Sequence, residues 1–198
     1  IGVLLAHRTQ LDELDLLRQS FARKADEFRD VVKVGRTQLQ DAVPMTLGQT
    51  FTAFAAGLAG DRGRLERARE TLAEINLGGT AIGTGINADP RFGKAMAKTL
   101  STLSKTRFEP ATDKFEGLAS QDDAVELSGQ LNALAVALMK IANDLRWMNS
   151  GPLAGLGEVE LPALQPGSSI MPGKVNPVMP EAECMVCAQV MGHHAAIT

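Results

Sequence analysis

Residues 167–177 read Gly-Ser-Ser-Ile-Met-Pro-Gly-Lys-Val-Asn-Pro, gathering adjacent hydroxyls, a cation and an amide in one short run. Ser168, Ser169, Lys174 and Asn176 are groups that can hold and stabilise negative charge, in a segment too rich in Gly and Pro for helix or strand. The run reads as a mobile loop that carries chemistry. A second polar run, residues 35–49, brings Thr37 and Gln38 ahead of Pro44. Taken alone it is a helix–helix connection, with Thr46 as N-cap of the second helix. Glu181 lies seven residues beyond Lys174, near the start of a last helix whose dipole would itself favour an acid there.

Three long helices must position these groups. Apolar residues recur at helical spacing from Leu4 through Leu11, Leu14, Leu17, Phe21, Ala25 and Phe28 to Val32. A second helix is expected from about Leu47 to Ile75, through Phe51, Phe54, Leu58, Leu65, Ala68 and Leu72, closing at Asn76 and the glycines after it. The third, about 119–149, is the most regular: Ala124, Leu127, Leu131, Leu134, Leu138, Ile141, Leu145 and Met148 alternate steps of three and four. It would be roughly 45 Å long, against a radius of gyration of about 16 Å for a compact chain of this size. The expected fold is therefore all-α, an elongated long-helix bundle whose seams other subunits cover.

Composition agrees. With 44% hydrophobic residues, 4% aromatic and no Tyr, the core should be built from Leu, Ala, Val, Ile and Met. A net charge of −3 gives no reason to expect nucleic acid or an anionic membrane as partner, and no apolar run of spanning length or leader is evident. Cys184 and Cys187 lie three apart on a helix and read as buried thiols, which with the absence of a leader suggests the cytoplasm. His193 and His194 are adjacent and would point about 100° apart on a helix, so neither a metal nor another cofactor is expected. The chain opens at Ile1, already inside an apolar pattern and without Met, and reads as a piece of a longer protein.

The whole 167–177 string resembles the signature loop of the fumarase and aspartase superfamily, whose members remove a proton beside a carboxylate and expel a group from the next carbon. Residues 35–49 resemble that superfamily's second conserved region, and residues 78–87 and 139–144 extend the likeness over nearly the whole chain. The resemblance implies a central helical domain with active-site segments at 35–49 and 166–177, the flanking N- and C-terminal domains being absent. It also implies a homotetramer with sites shared among three subunits, acting on a small dicarboxylate.

Proton removal beside a carboxylate creates a second negative charge on that carboxylate, and the site must bind this dianion more tightly than the substrate. The family's pattern makes Ser168 the base. A serine hydroxyl must act as an alkoxide, and Ser169 with the N–H groups of Ile170 and Met171 are candidates to cradle it. Lys174 supplies charge, and Thr37 and Asn176 supply directed hydrogen bonds, as their counterparts do. The family pairs Glu181 with the residue after the threonine, His in fumarases and Gln38 here, which cannot carry a proton. Gln38 and the Asn-Pro-Val-Met-Pro-Glu run ending at Glu181 resemble aspartate ammonia-lyases, whereas residues 113–116 and 139–144 resemble fumarases as much.

The leading expectation is ammonia loss from L-aspartate, with class II fumarase or a related amino-acid or succinyl lyase as alternatives. Leu153 stands where most relatives have Arg, and His193 where they commonly have Asn; the lost cation at 153 would weaken a carboxylate contact or change the substrate. The superfamily's first conserved region has no counterpart in these residues, so the chain alone also reads as a helical assembly module that does no chemistry unaided.

Overall fold

The computed structural model describes residues 2–198. In chain order the elements are α1 (Gly2–Glu27), β1 (Val32–Thr37), β2 (Gln40–Thr46), α2 (Leu47–Thr71), β3 (Glu74–Ile75), α3 (Phe92–Ser104), β4 (Glu109–Pro110), α4 (Lys114–Ala119), α5 (Asp122–Met148) and α6 (Val178–Ile197). The chain is mostly helical, as expected, and the opening at Ile1 lies outside the described residues. The chain divides into two compact units, Ile1–Leu16 with Gly60–Gln130, and Leu17–Ala59 with Leu131–Thr198.

In the first unit Leu4, Ala97 and Phe108 form a buried cluster that Leu72, Ile75 and Leu100 pack against. β3 and β4 pair in parallel through Glu74 with Glu109 and Ile75 with Pro110. The expected second helix thus stops at Thr71, and Ile75 leaves it to become a strand residue. His7 is buried, its Nε2 3.0 Å from the Leu65 carbonyl.

The second unit departs from an aliphatic core. Phe21, Phe28, Phe51 and Phe54 form a chain of ring contacts with centroids 5.5–5.9 Å apart, which gathers half of the chain's seven Phe and one Trp in one place. Such pairs add stabilisation beyond their buried area. Lys140 caps this cluster, 5.3 Å above the Phe54 ring, and also pairs with Asp144.

α2 begins at the residue the capping pattern predicts. Thr46 Oγ1 accepts from the Gln49 N–H at 3.2 Å, and Gln49 Oε1 accepts from the Thr46 N–H at 2.9 Å, a reciprocal capping box. Thr46→Ala is expected to cost about 1 kcal/mol of stability, read as a lowered urea midpoint, with Gln49→Ala doing less.

Along α5, Leu127, Leu134, Ile141 and Met148 are buried while Leu131, Leu138 and Leu145 between them are half-buried. Every seventh residue is packed within the chain, and the alternate row of the seam is left partly open. α5 also carries an 18-residue stretch of mean hydropathy 1.2, long and apolar enough by length and composition to cross a membrane, which corrects the expectation that no such run exists. A bundle's core helix has the same composition.

Candidate active site

Residues 35–49 are not a simple helix–helix connection. α1 ends at Glu27, and Val32 becomes a strand residue rather than the last turn of that helix. β1 and β2 form an antiparallel hairpin with Thr37 opposite Gln40 and Val32 opposite Thr46. Its two-residue turn is Gln38–Leu39, with φ of 51° and 62°, the left-handed pair that matches the twist of a tight hairpin. Non-glycine residues in that region cost of order 1–3 kcal/mol each and persist where a site fixes them. The register slips between Val34 and Arg36, and a Cβ on the intervening Gly35 would stand 2.7 Å from the Val43 carbonyl. Only glycine fits the bulge. Thr37 and Gln38 are exposed at the tip, and neither side chain makes a hydrogen bond among the described residues.

The hairpin is anchored by Glu158. Its carboxylate lies 2.7 Å from Lys33 Nζ and 2.6 Å from Arg36 Nη1, with all three side chains largely covered. Burial pushes the Glu158 carboxyl up, but the contacts with Lys33 and Arg36 outweigh it and hold the group below the usual carboxylate range. The same contact raises the Arg36 guanidinium.

Since the folded value is depressed, the stabilisation is fully present above the unfolded glutamate value of about 4.3 and disappears as pH falls through the folded one. Glu158→Gln is expected to destabilise by about 1.5–3 kcal/mol at pH 7. Thermal midpoints of parent and variant should draw together as pH falls from about 4.3 through the lower folded value.

The serine loop is closed at its neck. Pro166 and Val175 form an antiparallel bridge, the Gly167 N–H donates to the Lys174 carbonyl at 2.7 Å, and the Lys174 N–H donates to the Met171 carbonyl at 3.2 Å. Ser168 is half-buried, and its Oγ accepts from the Ile170 N–H at 3.2 Å. Among the described residues Ser169 and the Met171 N–H make no such bond, so of the expected cradle the Ile170 N–H stands at the Ser168 oxygen. Lys174 is exposed, with no carboxylate partner among the described residues. Asn176 is half-buried with its side-chain oxygen against Gly167, and its carbonyl accepts from the Val178 N–H at 2.9 Å.

Glu181 sits in the first turn of α6, where its N–H donates to the Pro177 carbonyl at 3.1 Å. It lines a cleft of about 420 Å³ with Asn143, Arg146, Asn149, Ser150 and Val175, among others. The neck of the serine loop therefore borders the Glu181 cleft. Among the described residues, no hydrogen bond or ion pair joins Thr37 or Gln38 to Ser168, Lys174, Asn176 or Glu181. Sequence reasoning misses Arg146, Asn143 and Asn149. The regular seam marks out the apolar face of α5 and masks the polar end of the same helix.

Cys187 is buried, and burial first, then Glu183, pushes its thiol up to about 11, as suits an inert packed sulfur; Cys184 is only half-buried. No group of three or more His, Cys, Asp or Glu side chains among the described residues is placed to hold a metal ion.

Residues 3–192 match the protein family described as Lyase. A class II fumarate hydratase of Xylella fastidiosa is 62% identical over 188 residues, 95% of this chain and 40% of that protein. An aspartate ammonia-lyase of Pseudomonas canavaninivorans is 55% identical over 199 residues, 100% of this chain and 42% of that protein. In fold, the chain is similar to a crystal structure titled fumarate lyase:delta crystallin from Brucella melitensis bound to cobalt. That likeness has a TM-score of 0.92 and 50% identity, over 98% of this chain and 42% of the other. A recombinant class II fumarase from Schistosoma mansoni gives a TM-score of 0.91 at 39% identity, over 93% of this chain and 42% of that one. The chain spans about two-fifths of the length of these relatives.

Proposed function

The chain belongs to the lyase family that includes class II fumarate hydratases and aspartate ammonia-lyases, and from that premise we propose that it serves an enzyme releasing ammonia from L-aspartate to give fumarate. Ser168, as alkoxide, takes the proton from Cβ, and the electron pair moves into the neighbouring carboxylate as an aci-carboxylate dianion. Lys174 and Asn176 hold that charge, with Thr37 as a further donor. The dianion then collapses by anti-elimination, the Cα–N bond breaks, and ammonia leaves. Thr37 and Gln38 make no bond to the serine loop among the described residues, which agrees with the family resemblance in supporting a homotetramer with each site drawn from three subunits.

Gln38 carries the choice of leaving group. An ammonium is already protonated and departs as neutral ammonia, whereas a hydroxyl must receive a proton to leave as water. Gln38 holds no exchangeable acid to give, and it cannot form a proton relay with Glu181. The 62% identity to a class II fumarate hydratase favours a second reading, dehydration of L-malate.

The full-length assembled protein should release ammonia from L-aspartate, with fumarate appearing in equal amount. Turnover of L-malate alone would replace the first reading with the second.

A further inference from the structure

Two strained residues at the tip of the β1–β2 hairpin have to be held by something other than their own sequence. Gln38 and Leu39, with φ of 51° and 62°, take the left-handed pair that Asn-Gly or Gly-Gly adopts without cost. Left to itself such a turn relaxes and carries Thr37 and Gln38 with it. Directly beneath the turn, Thr37 is opposite Gln40 and Arg36 is opposite Asp41. Arg36 Nη1 lies 2.6 Å from Glu158 Oε1, and Arg36 Nε lies 3.5 Å from Asp41 Oδ1. One guanidinium fork thus ties both strands of the hairpin to a third segment.

Glu158 stands on fixed ground. Its N–H donates to the Met148 carbonyl at 2.8 Å, the Val159 N–H donates to the same carbonyl at 3.2 Å, and the Gly157 N–H donates to the Ser150 carbonyl at 2.8 Å. Gly155 lies so close to Ser150 that no side chain fits between them. Lys33 Nζ, 2.7 Å from Glu158 Oε2, takes up the second carboxylate oxygen. All of these contacts are made within one chain, so the hold on the turn does not wait for assembly.

We infer that Glu158 is a positioning residue: through Arg36 it fixes the Gln38–Leu39 turn and so sets Thr37 and Gln38 where the substrate carboxylate meets them. The inference rests on the lyase reading only in giving Thr37 and Gln38 a ligand. Lys33 shares the carboxylate but is four residues from Thr37, opposite Met45, and steadies the hairpin without steering its tip.

The test uses the full-length assembled protein well below its thermal midpoint, in samples whose helical signal and oligomer size match the parent. Glu158→Gln should lower kcat/KM for L-aspartate by about 10–10²-fold, with KM raised at least about threefold. A smaller folded fraction lowers kcat alone, so the rise in KM separates position from stability. Arg36→Lys keeps the cation but not the fork, and should move KM the same way by less. Lys33→Met should lower the thermal midpoint and leave KM as it is. Leu39→Gly is the sharpest arm, because glycine adopts a φ of 62° freely and makes the turn self-sufficient. Leu39 is exposed, so this change alone should keep kcat/KM within about twofold of the parent, and added to Glu158→Gln it should recover at least about fivefold. Hydrogen exchange over residues 36–40 should be faster in Glu158→Gln and slow again in the double variant.

A KM unchanged by both Glu158→Gln and Arg36→Lys, or a double variant no better than Glu158→Gln, would overturn the inference. If L-malate is the substrate, the same comparison is read on L-malate. Failure of the lyase reading looks different. The parent would then turn over neither acid, and the exchange over residues 36–40 alone would decide whether Glu158 holds the turn.

Discussion

Ser168→Ala in the full-length assembled protein is expected to lower kcat for L-aspartate by about 10²–10⁴-fold, the range for loss of a positioned general base, with KM nearly unchanged. The direction of that split comes from the chemistry. Ser168 takes a proton only as the transition state forms, so its loss should spare ground-state binding. The alkoxide has to be stabilised where it stands, and the Ile170 N–H at 3.2 Å from Ser168 Oγ is the fixed donor that the chain itself provides. Ser169→Ala should do far less, since its hydroxyl makes no bond to Ser168. Initial rates at saturating aspartate check both variants, and a Ser168→Ala protein within about tenfold of the parent would remove Ser168 from the role.

Helix α5 and the hairpin show why parts of this architecture are legible in the sequence and parts are not. α5 announces itself because one face is apolar at every step from Leu127 to Met148, and the structure buries Leu127, Leu134, Ile141 and Met148 along it. The start of α2 is equally readable, because Thr46 and Gln49 at N-cap and N3 satisfy each other's backbone donors through a local pattern.

The hairpin hides for the opposite reasons. Its turn has no glycine, Gln38 and Leu39 taking the left-handed conformation instead, and Pro44 interrupts β2. In β1 the valines are exposed while Lys33 and Gly35 are covered, and most of β2 is exposed, so no alternation of apolar and polar residues marks them as strands. The restraint that holds them, Glu158 against Lys33 and Arg36, joins residues far apart in the chain and leaves no local trace.

The site divides along the same line. Ser168, Lys174 and Asn176 stand out because they crowd into one loop of unusual composition. Arg146 and Asn149 reach their cleft only because the end of α5 folds back beside the start of α6, a juxtaposition that no spacing within either helix encodes.

Gly167→Ala should be nearly as damaging as loss of the base, at about 10²-fold in kcat/KM, although it removes no functional group. A Cβ on residue 167 would stand 2.5 Å from Asn176 Oδ1 and 3.1 Å from Lys174 Cγ. The Asn176 amide cannot keep its place against that methyl and Lys174 must give by a few tenths of an ångström, and these are the two side chains proposed to hold the developing carboxylate charge. The loop neck resists a compensating shift, because the Gly167 N–H is committed to the Lys174 carbonyl at 2.7 Å beside the Pro166–Val175 bridge. The strain must therefore fall on Asn176 and Lys174, and a displacement of about 1 Å of such groups is enough for a loss of this size. Folding should be little affected, since the loop is largely exposed and contributes no core residue. A thermal midpoint close to the parent together with the fall in kcat/KM would locate the damage in the geometry of the loop. Parental activity in Gly167→Ala would mean that Asn176 and Lys174 are not held where the reaction needs them.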